Sequence, residues 1–244
     1  MRYSPFAAVP LLLLVAGCGM HDKADAERYA AHGAQASRDF AATGFDRVSL
    51  RGPDNVTVKV GGPFAIHATG DAAAIERLRV GVVDGELRVE RDHGTFGWQH
   101  MRGDATVTVS LPALQGASVS GSGNMRVDQV RQPKFVGGVA GSGDLDIAAI
   151  AAEDVALTVA GSGDLHVAGR ASRAALTLSG SGGLVADGLD TGTLVVSAVG
   201  SGDVAARARD TAKISIIGSG DVTVKGTARC AISRLGSGDA RCGG

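Results

Sequence analysis

Apolar residues alternate with small or polar ones along most of this chain. From residue 116 onward one phrase punctuates the alternation at near-regular intervals. Gly-Ser-Gly begins at Gly121, Gly141, Gly161, Gly180, Gly200, Gly218 and Gly236, with spacings of 20, 20, 19, 20, 18 and 18 residues. Six, four and two positions before it stand Val155, Leu157 and Val159 in the third copy, Ala174, Leu176 and Leu178 in the fourth, and Ala212, Ile214 and Ile216 in the sixth. Four and six positions after the same glycine stand Leu145/Ile147, Leu165/Val167, Leu184/Ala186, Val204/Ala206 and Val222/Val224. A period of two marks strands with one face turned in and one turned out. Each repeat therefore predicts a strand, a tight corner, a second strand and a variable second corner.

A single repeat of this size cannot bury a core, whereas stacked repeats pair their backbones with two neighbours and share one apolar interior. The expected fold is all-β: a parallel β-solenoid (β-helix) of seven rungs of ~20 residues, ~4.8 Å apart, over residues 116–244. Residues 44–115 lack the phrase but keep the alternation, as in Val48/Leu50, Val56/Val58/Val60, Leu87/Val89 and Val107/Val109/Leu111. They read as an irregular all-β cap or as the first rungs. Asp84-Gly85 fits a hairpin turn, and Asp71 to Arg77 one short helical turn.

Composition sharpens this picture. Of 244 residues 37 are glycine, about twice the usual share of ~7 %. Only nine residues are aromatic, and neither an aromatic nor a proline follows Phe135. A core without rings is thin and built from small aliphatics, and proline is excluded from a central ladder because it cannot donate to it. Six prolines and no three-residue period exclude collagen. A balance of 24 basic and 25 acidic residues, net charge -1, points to no nucleic-acid partner.

The amino terminus reads as an address. Arg2 precedes the apolar run Phe6 to Ala16, which ends in Val15-Ala16-Gly17-Cys18; the run is too short for a mature membrane span and suits a signal peptide over residues 1–17. The ending resembles the bacterial lipobox, which implies cleavage before Cys18 and attachment to the membrane through lipid on that cysteine. Gly19, in place of an aspartate, implies the outer membrane by the same resemblance. Residues 18–43 then serve as a lipidated tether.

Candidate chemistry is sparse. The fourth position of the corner forms a column, Asn124, Asp144, Asp164, Asp203, Asp221 and Asp239, interrupted by Gly183. These side chains either cap their own turns by accepting a backbone N–H or hold cations between rungs. The stacked serines are expected to pass hydrogen bonds from rung to rung. Cys230 and Cys242 occupy inward columns of the last rung, either as a disulfide stapling it or as two buried thiols. The outward middle column before each corner reads Ser118, Gly138, Thr158, Thr177, Ser197, Ser215 and Ser233, flanked by small residues and one charge, Lys213. This flat, nearly uncharged flank is a candidate partner face, for self-association or for an envelope protein. Arg102-Gly103-Asp104, after Phe96, Trp98 and His100, lies in an expected exposed loop over Asp92 to Asp104 and spells a tripeptide known from host-cell adhesion. Six scattered histidines show no metal-ligand spacing, no serine has a neighbouring base, and no cofactor is implied.

The repeated phrase, together with Phe45-Asp46-Arg47-Val48 and Asp84-Gly85-Glu86-Leu87, resembles the GIN-domain family, whose members are labelled heads of autotransporter adhesins. The resemblance covers about residues 44–244 and implies a β-helical envelope protein. A lipid anchor is expected here in the place of an autotransporter's membrane barrel. The expected function is thus a non-enzymatic, lipid-anchored interaction or adhesion scaffold. The alternative is a carbohydrate-binding or carbohydrate-cleaving β-helix, which calls for clustered carboxylates and aromatic platforms.

Overall fold

The structure, a computed structural model, describes residues 34–92, 103–226 and 228–243. In chain order the strands are β1 (Gln35–Phe40), β2 (Arg47–Arg51), β3 (Asn55–Val60), β4 (Ala65–Asp71), then helix α1 (Ala72–Arg77), β5 (Leu78–Val83), β6 (Glu86–Arg91) and β7 (Ala105–Leu111). The repeats contribute β8 (Gly116–Gly121), β9 (Met125–Val127), β10 (Val130–Arg131), β11 (Lys134–Gly141), β12 (Leu145–Gly161), β13 (Leu165–Gly180), β14 (Leu184–Gly200), β15 (Val204–Gly218), β16 (Val222–Lys225), β17 (Arg229–Gly236) and β18 (Ala240–Cys242). All belong to one sheet wound upon itself.

The solenoid is present as the alternation requires. Strands that lead into the corners stack in parallel register, so that Val119, Val139, Val159, Leu178, Ala198, Ile216 and Arg234 form one inward column. Strands that leave the corners stack likewise, with Met125, Leu145, Leu165, Leu184, Val204, Val222 and Ala240 in line. Seven corners delimit about six complete turns of the coil. The interior is a narrow aliphatic strip, in which Leu157, Leu165, Leu176 and Ile214 are fully buried.

The cap differs from expectation in part. Of the two forms expected for residues 44–115, the first rungs and not an irregular cap are present: β2 and β3 pair in parallel with β8 and β9, Leu50 beside Val119 and Val58 beside Val127. They form one further rung, whose corner is Gly52-Pro53-Asp54. Next to it β6 and β7 make another, with Val89 beside Leu50 and Val109 beside Val58. The strands beyond run antiparallel, β5 on β6, β4 on β7 and β1 on β4, giving a mixed, nearly closed sheet. Helix α1, capped by Asp71 Oδ1 accepting from the Ala73 amide at 3.0 Å, buries Ala74 and Ile75 under this end. Nor does the expected tether extend to residue 43, because Gln35–Phe40 is a strand, with Arg38 paired to Ala68. Its partner β4 supplies the open edge that the tether reading did not anticipate.

The opposite end has no such cover. Ile232, in an inward column of the last rung, is 46 % exposed. Arg234 enters the column that is otherwise apolar and donates to Asp239 Oδ1 at 2.9 Å. An inward charge on a terminal strand discourages further stacking. Cys230 and Cys242 are joined by a disulfide across this rung, their Cα atoms 6.5 Å apart. A loop this short restrains the unfolded chain by about 3 kcal/mol. Cys242→Ser should therefore lower the protection of β17 and β18 amides from hydrogen exchange while leaving β12 to β14 unchanged. Equal loss throughout would show that the staple serves the whole coil.

Candidate functional site

The corners are held by backbone first. The Ser142 and Gly143 amides both donate to the Gly121 carbonyl at 2.9 Å, and the same fork recurs at Gly141, Gly161, Gly180, Gly200 and Gly218. The fourth-position column adds a relay between rungs rather than within a turn. Asn55 Oδ1 accepts the Asn124 amide (3.3 Å), Asn124 that of Asp144 (3.1 Å), Asp144 that of Asp164 (3.0 Å) and Asp164 that of Gly183 (2.7 Å). Gly183 has no side chain to continue it. The relay resumes from Asp203 to Asp221 (2.8 Å) and from Asp221 to Asp239 (2.9 Å). One oxygen of each of these side chains is thus committed to the neighbouring rung. Hydroxyl-to-hydroxyl contact among the stacked serines occurs at Ser237 and Ser219, 3.1 Å apart. Among the described residues no three His, Cys, Asp or Glu side chains converge as a metal site would require.

The strands leaving the corners carry charge outward. Arg126 pairs with Asp146 at 3.3 Å, and Lys225 with Asp187 at 2.9 Å. The hydrogen bond from Lys225 holds the Asp187 carboxyl below its ordinary range, and one from Arg173 does the same for Asp154 at the outer border of the strands leading into the corners. All are solvent-facing and add little to stability. His166 lies beside Asp144 and Asp146 in a shallow hollow that also includes Asn124 and Arg126. No Phe, Tyr or Trp ring lines it.

The strands leading into the corners present the candidate partner face. Thr158, Thr177 and Ser233 are exposed, while Ser118, Ser197 and Ser215 are half-buried by their neighbours. The columns on either side are not uniformly small. Val136 is 63 % exposed, Val195 44 %, Val199 43 %, Ile217 49 % and Leu235 72 %. These five lie outward on one face, among the seven exposed large hydrophobic side chains of the described residues. Two shallow hollows meet at Val136. One, of about 260 Å³, is lined by Arg47, Gly116, Ser118, Gly138 and Thr158; the other, of about 450 Å³, by Ala156, Ala175 and Val195 together with the charged Lys134, Asp154 and Arg173. Toward the cap the same columns turn charged, through Arg47, Arg51, Glu86, Arg88 and Glu90.

One site escaped the sequence. Asp54 and Arg91 are both buried, at 1 % and 3 % exposure, and form a bidentate ion pair. Asp54 Oδ1 also accepts the Ala105 amide at 3.2 Å, and Arg91 Nη1 donates to the Gly103 carbonyl at 2.9 Å. The pair joins the end of β6 to the start of β7, the two strands that residues 92–104 connect, beside the Gly52-Pro53-Asp54 corner of the adjacent rung. The available hint was position: Asp54 continues the inward column of Val56 and Val58, and Arg91 that of Leu87 and Val89, but nothing local pairs the two. Cys18, Phe96, Trp98, His100 and Arg102 lie outside the described residues.

A profile of the family described as "Putative auto-transporter adhesin, head GIN domain" matches residues 44–228. The chain belongs to this family. The GIN domain here has the fold of solved structures of low sequence identity. A protein described as a putative adhesin of Bacteroides fragilis is 21 % identical, with TM-score 0.76, over 86 % of this chain and 97 % of that one. A putative lipid binding protein of Parabacteroides distasonis is 19 % identical, with TM-score 0.67, over 86 % and 97 %. A putative adhesin of Parabacteroides merdae is 16 % identical, with TM-score 0.67, over 86 % and 96 %. A comparison with curated proteins finds no match.

Proposed function

We propose that this GIN-domain protein is a non-enzymatic, lipid-anchored scaffold of the cell envelope that makes its contacts through the face leading into the corners. The observation that carries the reading is that face itself. It is a sheet surface whose three columns nearest the corners carry five exposed large aliphatics and a single charge, Lys213, bordered by a charged column of Lys134, Asp154, Arg173 and Arg229. Contiguous exposed apolar surface of this kind marks interaction sites. The family description supports a place on the cell surface, and the Val15-Ala16-Gly17-Cys18 sequence supports a lipid as the means of staying there. The structural neighbours named as adhesins support contact rather than turnover as the activity.

The test uses the full chain in its own cells. Cys18→Ser should move the protein out of the outer-membrane fraction. Thr158→Glu with Thr177→Glu should leave it membrane-bound but reduce adhesion of the cells to surfaces or to one another. Retention of Cys18→Ser in the outer-membrane fraction sinks the anchor. Undiminished adhesion in the glutamate variant sinks the assignment of the face.

A further inference from the structure

The face has a gradient along the coil that the flat description conceals. Reading its three outward columns rung by rung gives Gly116, Ser118 and Ser120, then Val136, Gly138 and Ala140, then Ala156, Thr158 and Ala160. The fourth rung gives Ala175, Thr177 and Ser179, and the fifth Val195, Ser197 and Val199. The last two give Lys213, Ser215 and Ile217, then Ala231, Ser233 and Leu235. In the third column the side chains grow from Ser120, Ala140 and Ala160 at the cap end to Val199, Ile217 and Leu235 at the far end, while the first column keeps Val136 near the cap and Val195 beyond the middle. A column that is low at one end and high at the other fits a copy of itself turned end for end.

We propose that the occupant of this face is a second copy of the chain, packed face to face about a two-fold axis parallel to the strands and passing over Thr177. This rests on the face being the contact surface, as in the preceding section, and names its partner. The axis sets the first rung against the seventh, the second against the sixth and the third against the fifth, with each column opposite itself. Leu235 then meets Ser120, Ile217 meets Ala140, Val199 meets Ala160 and Val195 meets Ala156, so four of the five exposed large aliphatics oppose a small residue. Lys213 lies opposite Val136 at the border of the face, where its aliphatic stem covers the valine and its ammonium reaches water. The other two-fold arrangement, with the axis along the coil, sets Val195 against Val199 and loses this match. Two sheets packed in this way form an ordinary aligned sandwich.

The area is sufficient. Seven strands at ~4.8 Å and six residues at ~3.3 Å cover about 600 Å² per copy, so the pair buries about 1,200 Å², at the lower bound of stable specific interfaces. The charged columns of β2 and β6 bound the contact on the cap side, and the inward Arg234 discourages the alternative of growth by stacking end to end. The isologous contact closes on itself and leaves no surface for further addition.

The experiment reads both mass and register, on the full chain extracted in mild detergent. The unsubstituted protein should run as a dimer at 10 µM or less, a scale typical of modest interfaces (~8 kcal/mol at ~1 µM). Thr158→Glu with Thr177→Glu should weaken it at least 100-fold, with unchanged circular dichroism. With a short bismaleimide, Thr177→Cys should cross-link to itself, whereas Ser118→Cys and Ser233→Cys should cross-link only when mixed. The unsubstituted chain, which keeps Cys18, is the control. A monomeric unsubstituted protein overturns the proposal, as does Ser118→Cys cross-linking to itself as readily as Thr177→Cys. A monomer whose adhesion is still lost in the glutamate variant overturns the dimer and leaves the face a contact surface for another partner. A dimer with the expected register whose glutamate variant adheres normally supports the dimer and overturns the adhesion reading.

Discussion

Asp54→Ala is expected to lower the unfolding free energy by about 3–5 kcal/mol, the usual result of stranding one member of a buried ion pair. Arg91 would be left at 3 % exposure with the neutral Gly103 carbonyl as an acceptor, and the Ala105 amide would lose the carboxylate at 3.2 Å. The effect is large because desolvation has already been incurred by the fold: a charged guanidinium without its counter-ion is far worse than no guanidinium at all. That asymmetry supplies a control. Asp54→Gly combined with Arg91→Leu removes both charges and places at the corner the residue that every repeat of the solenoid carries there, so it should cost less than Asp54→Ala alone. Urea denaturation of the three proteins checks the ranking. Limited proteolysis adds a local measure, since cleavage within 92–104 should accelerate in Asp54→Ala before the solenoid is attacked. A loss below about 1 kcal/mol for Asp54→Ala, the value of an ordinary surface pair, would mean that the pair is not sealed from water.

The contrast between this pair and the solenoid explains what the sequence could and could not disclose. The solenoid was legible because its constraint repeats. Leu157, Leu176 and Ile214 occupy one column for one reason, and alternation plus spacing reveals that column without any knowledge of neighbours. The two cap rungs obey the same geometry but satisfy it differently. One corner uses Gly52-Pro53-Asp54, where the carboxylate is neutralised by Arg91, 37 residues further along the chain. The other is interrupted by thirteen residues, from 92 to 104. Once a corner is held by a tertiary ion pair rather than by a local phrase, periodicity no longer betrays it. Strand β1 was hidden for a related reason: Gln35–Phe40 has a mostly exposed burial pattern, so no alternating apolar signal marks it, and it is a strand because β4 offers an edge. On the candidate face the Ser/Thr column was legible, whereas the exposure of Val136 and Leu235 depended on which neighbours cover them. The Asp column was legible as a column, but only the structure shows its side chains reaching the next rung's amides.

The second large effect separates two glycine-to-alanine changes in the same coil. Gly163 closes a corner where a Cβ would overlap the Gly143 carbonyl oxygen and stand 3.0 Å from Val139 Cγ1. Neither neighbour can retreat. The oxygen is backbone, and the rung spacing is fixed by the Ser162 and Gly163 amides bonding to the Gly141 carbonyl at 2.9 and 3.0 Å. Gly163→Ala must therefore spread two rungs at the corner, with overpacking of about 1–3 kcal/mol and the loss of about 1 kcal/mol for each bond of the fork that lengthens. An overall loss of about 3–5 kcal/mol is expected. Gly138 lies only 25 positions away, in a strand rather than a corner. A Cβ there points outward, with the Thr158 carbonyl oxygen at an ordinary 3.7 Å. Its φ lies outside the range that L-residues avoid, so alanine adds no strain and removes freedom from the unfolded chain. Gly138→Ala should consequently stabilise by about 0.4–1 kcal/mol. Denaturation midpoints moving in opposite directions would establish that the glycines of the phrase are there because rungs pass too closely for any side chain. Were both variants to lose stability alike, glycine would instead be serving chain flexibility throughout, and the close stacking of the corners would be wrong.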